Sequence, residues 1–121
     1  MEQHEATAFI ERWQALYNAD KRAFIDEMYD DDVEIYVPGM FTLRGRDQVW
    51  DALGVLYQGP VTLQITAIHR VVAAGNTIVV EFDTQIGEEL HHALSLIDLR
   101  DGRVLSDHSY AAVAGKVPGL G

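Results

Sequence analysis

Cysteine is absent from the 121 residues. Disulfides, thiolate nucleophiles and cysteine-ligated metals are thereby excluded, and any metal site would have to be built from histidine and carboxylates. Basic residues are scarce: nine Lys and Arg stand against nineteen Asp and Glu, a formal net charge of −10. So acidic a surface repels phosphate backbones and anionic lipid, which argues against nucleic-acid and membrane partners. Most of that charge reads as a means of staying soluble. No apolar run approaches the length needed to span a bilayer. The opening Met1-Glu2-Gln3-His4-Glu5 has neither the basic start nor the apolar stretch of a secretory leader, so a cytoplasmic protein is expected. Glycine-rich phosphate loops, a dinucleotide fingerprint and a nucleophile elbow are also missing, and no cofactor is expected.

What is present is ordinary globular composition, 48% apolar and 23% charged, in a length that fits one domain, 1–121, with 113–121 as a loose tail. Ala6, Phe9, Ile10, Trp13, Leu16 and Tyr17 recur at helical spacing. Asp20 then suits the N-cap of a shorter helix carrying Phe24, Ile25 and Met28. Asp30-Asp31-Asp32 reads as a solvated turn before a strand over Val33–Val37, which Pro38-Gly39 ends. After a short extended piece from Phe41 to Leu43, a third helix starts at Gly45, carries Val49, Trp50, Leu53, Leu56 and Tyr57, and stops at Gly59-Pro60. Four long strands follow, Val61–Val72, Thr77–Ile86, Leu90–Arg100 and Arg103–Ala112, the last pair joined by the hairpin signal Asp101-Gly102. Helices first and an antiparallel meander after predict an α+β domain, three N-terminal helices on one face of a curved, mostly antiparallel sheet.

The strand period of two assigns faces. Ile78, Val80, Phe82, Thr84 and Ile86 form one apolar row, with Glu81, Asp83 and Gln85 opposite. A tight Asp101-Gly102 turn, carried through without interruption, opposes Asp98 to Leu105 and Leu96 to Asp107. One face of the hairpin then holds His92, Leu94, Leu96, Asp98, Leu105, Asp107, Ser109 and Ala111. The other holds His91, Ala93, Ser95, Ile97, Leu99, Val104, Ser106, His108 and Tyr110. Both rows mix apolar and polar residues, which suits a sheet covered on both sides by helices and by a second subunit.

The order of elements and several motifs resemble the SnoaL-like branch of the nuclear transport factor 2-like superfamily, to about Ala112. The pieces are Phe9-Ile10-Glu11-Arg12-Trp13 through Leu16-Tyr17-Asn18-Ala19, Tyr29-Asp30-Asp31-Asp32-Val33 and Leu43-Arg44-Gly45-Arg46-Asp47. They continue with His69-Arg70-Val71-Val72-Ala73-Ala74-Gly75-Asn76 and Leu99-Arg100-Asp101-Gly102-Arg103-Val104. The resemblance implies a cone-shaped fold, a pocket between sheet and helices that takes a small, largely apolar molecule, and a homodimer through the outer sheet face. It also implies that the row with His92, Asp107 and Ser109 lines the pocket, with His108 and Tyr110 outside. Its relatives include ketosteroid isomerases, polyketide cyclases, limonene epoxide hydrolases, scytalone dehydratases and proteins that only bind, and the fold does not choose among them.

Carried over residue by residue, the family's catalytic positions are departures. Val37 and Trp13 stand where the isomerases have their base and tyrosine, and Leu94 or Leu96 where they have a buried acid. Ser109 replaces the last-strand Asp of cyclases and epoxide hydrolases, and Phe82 and Thr84 the hydrolases' Arg and Asp. Asp20 matches the dehydratases' Asp, while Leu63 or Gln64 takes the place of their His.

The polar chemistry that remains centres on Asp107, because a carboxylate desolvated in an apolar cavity has a raised pKa and suits general acid–base work. His92 is the second catalytic candidate, about 13 Å along the ladder from Asp107 and so not its dyad partner. Ser109 reads as a ligand hydrogen-bond donor, and Trp13, Tyr17, Val37, Phe82, Thr84, Leu94 and Leu96 as pocket wall. No metal site is expected: His91 and His92 point to opposite faces. Two readings follow. One is an acid–base enzyme performing isomerisation, cyclisation, dehydration or epoxide opening; the other is a non-catalytic ligand-binding or dimeric scaffold protein. A core filled by Trp13, Phe41, Trp50 and Phe82 favours the second. The dimer is expected to form through Ala93, Ser95, Ile97, Leu99, Val104 and Tyr110.

Overall fold

The computed structural model describes residues 1–113, with side chains through Ala112. In chain order it contains α1 (Gln3–Ala19), α2 (Lys21–Met28), β1 (Tyr29–Val37), β2 (Phe41–Arg44), α3 (Arg46–Gln58), β3 (Leu63–Ala74), β4 (Thr77–Ile86), β5 (Glu89–Arg100) and β6 (Arg103–Val113). Three helices pack on one six-stranded open, curved sheet of order β2-β1-β6-β5-β4-β3. All neighbours are antiparallel except β1 and β6. The expected α+β architecture is the observed one. Val113, assigned to the tail, belongs to β6; the rest of that tail lies outside the described residues.

The helices form where the periodicity put them, for identifiable reasons. α1 starts three residues before its apolar stripe because Glu2 and Glu5 make a reciprocal capping box that satisfies its first free N–H groups. Its buried residues are Ala6, Ile10 and Trp13. Asp20 caps α2 by accepting from the Ala23 amide at 3.0 Å, and Phe24, Ile25 and Met28 turn inward. The core gathers these with Val33, Ile35, Val49, Ile65, Ile78, Val80, Phe82, Ile97 and Val104. Full burial of one such aliphatic side chain stabilises by about 1.5–3 kcal/mol. The exposed pairs Arg12–Glu27 and Arg22–Asp26 are worth about 0–1 kcal/mol each. Apolar burial therefore decides the fold.

Polar side chains decide how α1 meets the sheet. β3 is an edge strand, and its backbone groups would otherwise be open to pairing with another chain. Asn18 both donates to the Ile65 carbonyl at 2.9 Å and accepts from the Ile65 amide at 2.8 Å. Gln3 does the same to Val71 and Ala73, while Gln14 reaches the Ile65 carbonyl and Lys21 the Leu63 carbonyl. Side-chain amides of α1, joined by the Lys21 ammonium at the start of α2, thus close this edge in place of a seventh strand.

Two expectations are corrected. Asp30-Asp31-Asp32 is not a turn: the strand begins at Tyr29 and contains all three. Asp30 is buried because Arg100 reaches it through two bonds, Nε to Oδ2 at 3.1 Å and Nη2 to Oδ1 at 2.6 Å, and also holds Asp32. The second correction concerns the β5–β6 register. The Asp101-Gly102 turn does pair Arg100 with Arg103, but a β-bulge follows at once, so Leu99 faces Val104 and Asp98 faces Ser106, with Leu105 as the extra residue. Beyond it Ile97 faces Asp107 and Ser95 faces Ser109. A one-residue slip reverses faces, and His91, Ala93, Ser95, Ile97 and Leu99 therefore share the inner face with Val104, Asp107 and Ser109. His92, Leu94 and Leu96 lie on the outer face, contrary to expectation.

Asp101 and Gly102 both have positive φ, 52° and 77°, as a twist-matched two-residue hairpin requires. A Cβ added at Gly102 would meet nothing within 4 Å, so Gly102→Ala changes backbone preference alone. It is expected to destabilise by about 1 kcal/mol, measured by urea unfolding with an unchanged m-value.

Candidate active site

The inner face of β5 and β6 carries a short hydrogen-bonded chain inside an otherwise apolar interior. Ser109 Oγ donates to Asp107 Oδ1 at 2.9 Å, and Ser95 Oγ lies 2.7 Å from Ser109 Oγ. With the Ser109 proton directed at the carboxylate, Ser95 donates to Ser109, giving a relay Ser95–Ser109–Asp107. Ser95 is fully buried, Asp107 is 6% exposed and Ser109 is half-buried. The serine furthest from the carboxylate is thus sealed, while the middle one keeps access to the outside.

Burial pushes the Asp107 carboxyl above its ordinary range. The bond from Ser109, the neighbouring Ser95 hydroxyl and the nearby His108 pull in the opposite direction without cancelling the effect of burial. Three tyrosines share this interior. Burial raises the Tyr17 hydroxyl to about 12, with Tyr57 acting slightly the other way. Burial raises Tyr57 and Tyr29 too, and the charge of Asp107 adds to both shifts. All three phenols therefore stay protonated and can donate hydrogen bonds, while Asp107 is the group poised to exchange a proton. Tyr17 and Tyr57 meet edge-on with centroids 6.0 Å apart. Tyr57 also lines a cleft of about 330 Å³ between the α1–α2 corner and α3, with Lys21, Arg22 and Trp50.

The expected pocket residues divide. Trp13 and Phe82 are buried and meet edge-on with centroids 5.1 Å apart. Tyr17, Val37, Thr84 and Ser109 are half-buried on the inward-facing rows. Leu94 and Leu96 are each 39% exposed on the outer face. His92 is bonded there to Asp83, its Nδ1 2.5 Å from Oδ1. The bulge at Leu105 is the physical reason for all three displacements. It also brings in Ser95, which the uninterrupted register had placed on the outer side. The sequence carries no local signal for that bulge. Tyr57 was visible only as an apolar residue of its helix, and Tyr29 only as part of a resembling motif. The Trp13 indole N–H is buried with no hydrogen-bond partner among the described residues.

A group whose folded-state pKa is raised gives its full stability below the unfolded value, about 3.9, and loses it as pH rises through the folded value. Asp107→Asn removes that loss. Relative to the wild type, this variant is expected to gain stability as pH rises above about 3.9, by about 1.4 kcal/mol for each pH unit separating the two ionisations. Thermal melts across that range check it; a difference independent of pH would show that the carboxyl is not raised.

Residues 10–106 match the model of the SnoaL-like domain. No curated protein sequence matches the chain. An LEH-like epoxide hydrolase from M. tuberculosis is similar in structure, with a TM-score of 0.76, 22% identity, and coverage of 93% of this chain and 86% of that one. A protein assigned as a ketosteroid isomerase from Kribbella flavida gives 0.76, 19%, 96% and 84% in the same order. A protein assigned as a SnoaL-like polyketide cyclase from Jannaschia gives 0.71, 16%, 90% and 86%. At such identities the likeness is one of fold. The family match covers most of the chain and ends at Ser106, one residue before Asp107, and the chain belongs to the SnoaL-like domain family.

Proposed function

We propose that this protein binds a small, largely apolar molecule between the helices and the inner sheet face and acts on it by proton transfer through Asp107. The observation that carries this reading is the buried Asp107 carboxyl, raised above its ordinary range and held by a serine relay whose middle member remains accessible. A carboxyl in that state can take a proton from carbon or oxygen and return it. Tyr17, Tyr57 and Ser109 supply neutral donors for a carbonyl, hydroxyl or epoxide oxygen. The buried Trp13 N–H supports ligand binding further, since an unpaired buried donor costs about 1–3 kcal/mol and an acceptor on a ligand would offset it. Isomerisation, cyclisation, dehydration and epoxide opening all fit this donor set, and each is a reaction class of the family's fold relatives.

The alternative is a non-catalytic ligand-binding or scaffold protein. Trp13 packs edge-on against Phe82 and lies near Phe24, occupying interior space that a larger pocket would need. The two readings part in one experiment. Wild type and Asp107→Asn are screened by thermal shift against steroids, terpenoid epoxides, aromatic polyketide fragments and hydroxy-ketones, and hits are followed for turnover. The enzyme reading expects both proteins to bind a hit and turnover to fall by at least about a hundredfold in the variant. Equal binding without turnover in either protein would establish a carrier.

The outer face fits a second copy of this chain. Val72, Leu94, Leu96 and Tyr110 are each 39–44% exposed there, a row that monomers rarely leave uncovered. It replaces the expected dimer row, whose Ala93, Ser95, Ile97, Leu99 and Val104 face inward; Tyr110 is common to both. Sedimentation equilibrium is expected to give a dimer for the wild type and a monomer for Leu96→Glu. A monomeric wild type would remove this assignment.

A further inference from the structure

The outer face holds a second cluster of chemistry-bearing side chains, independent of Asp107 and of the acid–base reading. Asp83 on β4 and His92 on β5 are direct cross-strand partners. His69 joins them from β3, where it is the extra residue of a bulge between Ile68 and Arg70. A bulge re-aims one side chain out of the regular alternation, and this one turns His69 to Asp83. His69 Nε2 lies 2.9 Å from Asp83 Oδ2, and His92 Nδ1 lies 2.5 Å from Asp83 Oδ1. The rings of His69 and His92 are 6.2 Å apart at their centroids. The three ligand atoms fall within 4.8 Å of one another. Asp83 is buried, whereas the His69 and His92 side chains are 44% and 60% exposed. The anchor is therefore fixed while two imidazoles remain reachable.

We propose that His69, Asp83 and His92 form a binding site for one divalent transition-metal ion, Zn²⁺ foremost. Two imidazole nitrogens and a carboxylate oxygen match the nitrogen and oxygen preference of such ions. Tetrahedral coordination at metal–ligand distances near 2.0–2.2 Å separates ligand atoms by about 3.3 Å. The imidazole nitrogens lie 2.5 and 2.9 Å from the Asp83 oxygens and all three ligand atoms within 4.8 Å of one another, so small rotations of the two exposed rings would bring them to that spacing. Each imidazole would coordinate through the nitrogen that now faces Asp83, its ring proton carried on the other nitrogen. The three ligands come from one face, leaving a coordination position for water. That position adjoins a groove of about 750 Å³ lined by Glu81, Leu94, Tyr110 and the two histidines. No ligand comes from a cysteine, and the acidic surface favours cation approach.

The test uses the whole chain, stripped of metal by chelator and titrated with Zn²⁺ by calorimetry and with Co²⁺ by visible absorption. Saturable binding of one ion per chain is expected, with a Co²⁺ spectrum of low coordination number. His69→Ala and His92→Ala, both at exposed positions, should each weaken binding by at least about tenfold, the lower limit seen even for outer partners of metal sites. His91→Ala, on the inner face, should leave it unchanged. Asp83→Asn should abolish binding if circular dichroism shows it folded, but the two histidine variants decide the question without it. Absence of saturable binding would overturn the proposal. So would one ion per two chains, or wild-type affinity in either His69→Ala or His92→Ala. A failure here leaves the Asp107 reading untouched, since the two sites share no residue.

Discussion

The extra residue at Leu105 is the constraint on which the rest of the molecule depends. β6 must satisfy two neighbours at once, β5 by antiparallel pairing and β1 by parallel pairing. The ladder with β1 is itself irregular, with Tyr29 facing Val104 and Glu34 facing Ser106. The excess length of β1 is drawn in at Asp30, where Arg100 from the end of β5 grips it. Bulge, buried aspartate and bidentate arginine therefore lie together at one end of the sheet. Beyond them the alternation is reset, and Asp107 enters the core opposite Ile97 and beside Ile35. Had the hairpin run without the bulge, either Asp107 or the core residues Ser95 and Ile97 would have been forced outward.

This explains what could and could not be read from the chain. The helices were legible because each buries a stripe at helical spacing and two of the three begin with a side-chain cap or capping box. The inner row of β4 was legible for the same kind of reason: Ile78, Val80 and Phe82 alternate with polar residues on a strand that pairs regularly with β5. The β5 face was not legible, because both of its rows are partly apolar and only the register decides between them. That register rests on Leu105, which nothing in its local composition marks as a bulge. Asp107 and Ser109 kept their inward position despite the error, since the slip affects β5 relative to β6. Asp30 escaped for a different reason. An acidic run reads as solvated until the arginine that neutralises one member is known, and Arg100 is remote in sequence.

The outer cluster was partly within reach. A two-residue turn at Gly87-Glu88 pairs Ile86 with Glu89 and, counting back, Asp83 with His92. Taking Glu89 into the turn hides that pairing. His69 could not have been added by counting, because it too is placed by a bulge. Both irregularities thus do the same thing in different places: each takes one residue out of a regular ladder and puts its neighbours to a use the alternation would forbid.

Asp107 and Asp83 show how far a shared framework can separate two residues of one type. Burial disfavours ionisation of both. At Asp107 only neutral hydroxyls donate directly to the carboxylate, so burial prevails and the group holds its proton to higher pH. At Asp83 burial also opposes ionisation, but the bonds from His69 and then His92 outweigh it, and the carboxylate ionises more readily than usual. Hydroxyl partners stabilise a carboxylate without supplying charge; imidazoles can become cations and supply it. The inner carboxyl is accordingly suited to giving and taking a proton, and the outer one to remaining an anion that holds positive charge against it. One sheet can carry both because adjacent residues on a strand point to opposite faces, and the helices cover only one of them. The separation is chemical as well as spatial: a cation held at Asp83 lies across the sheet from Asp107, so the two functions need not compete for the same protons.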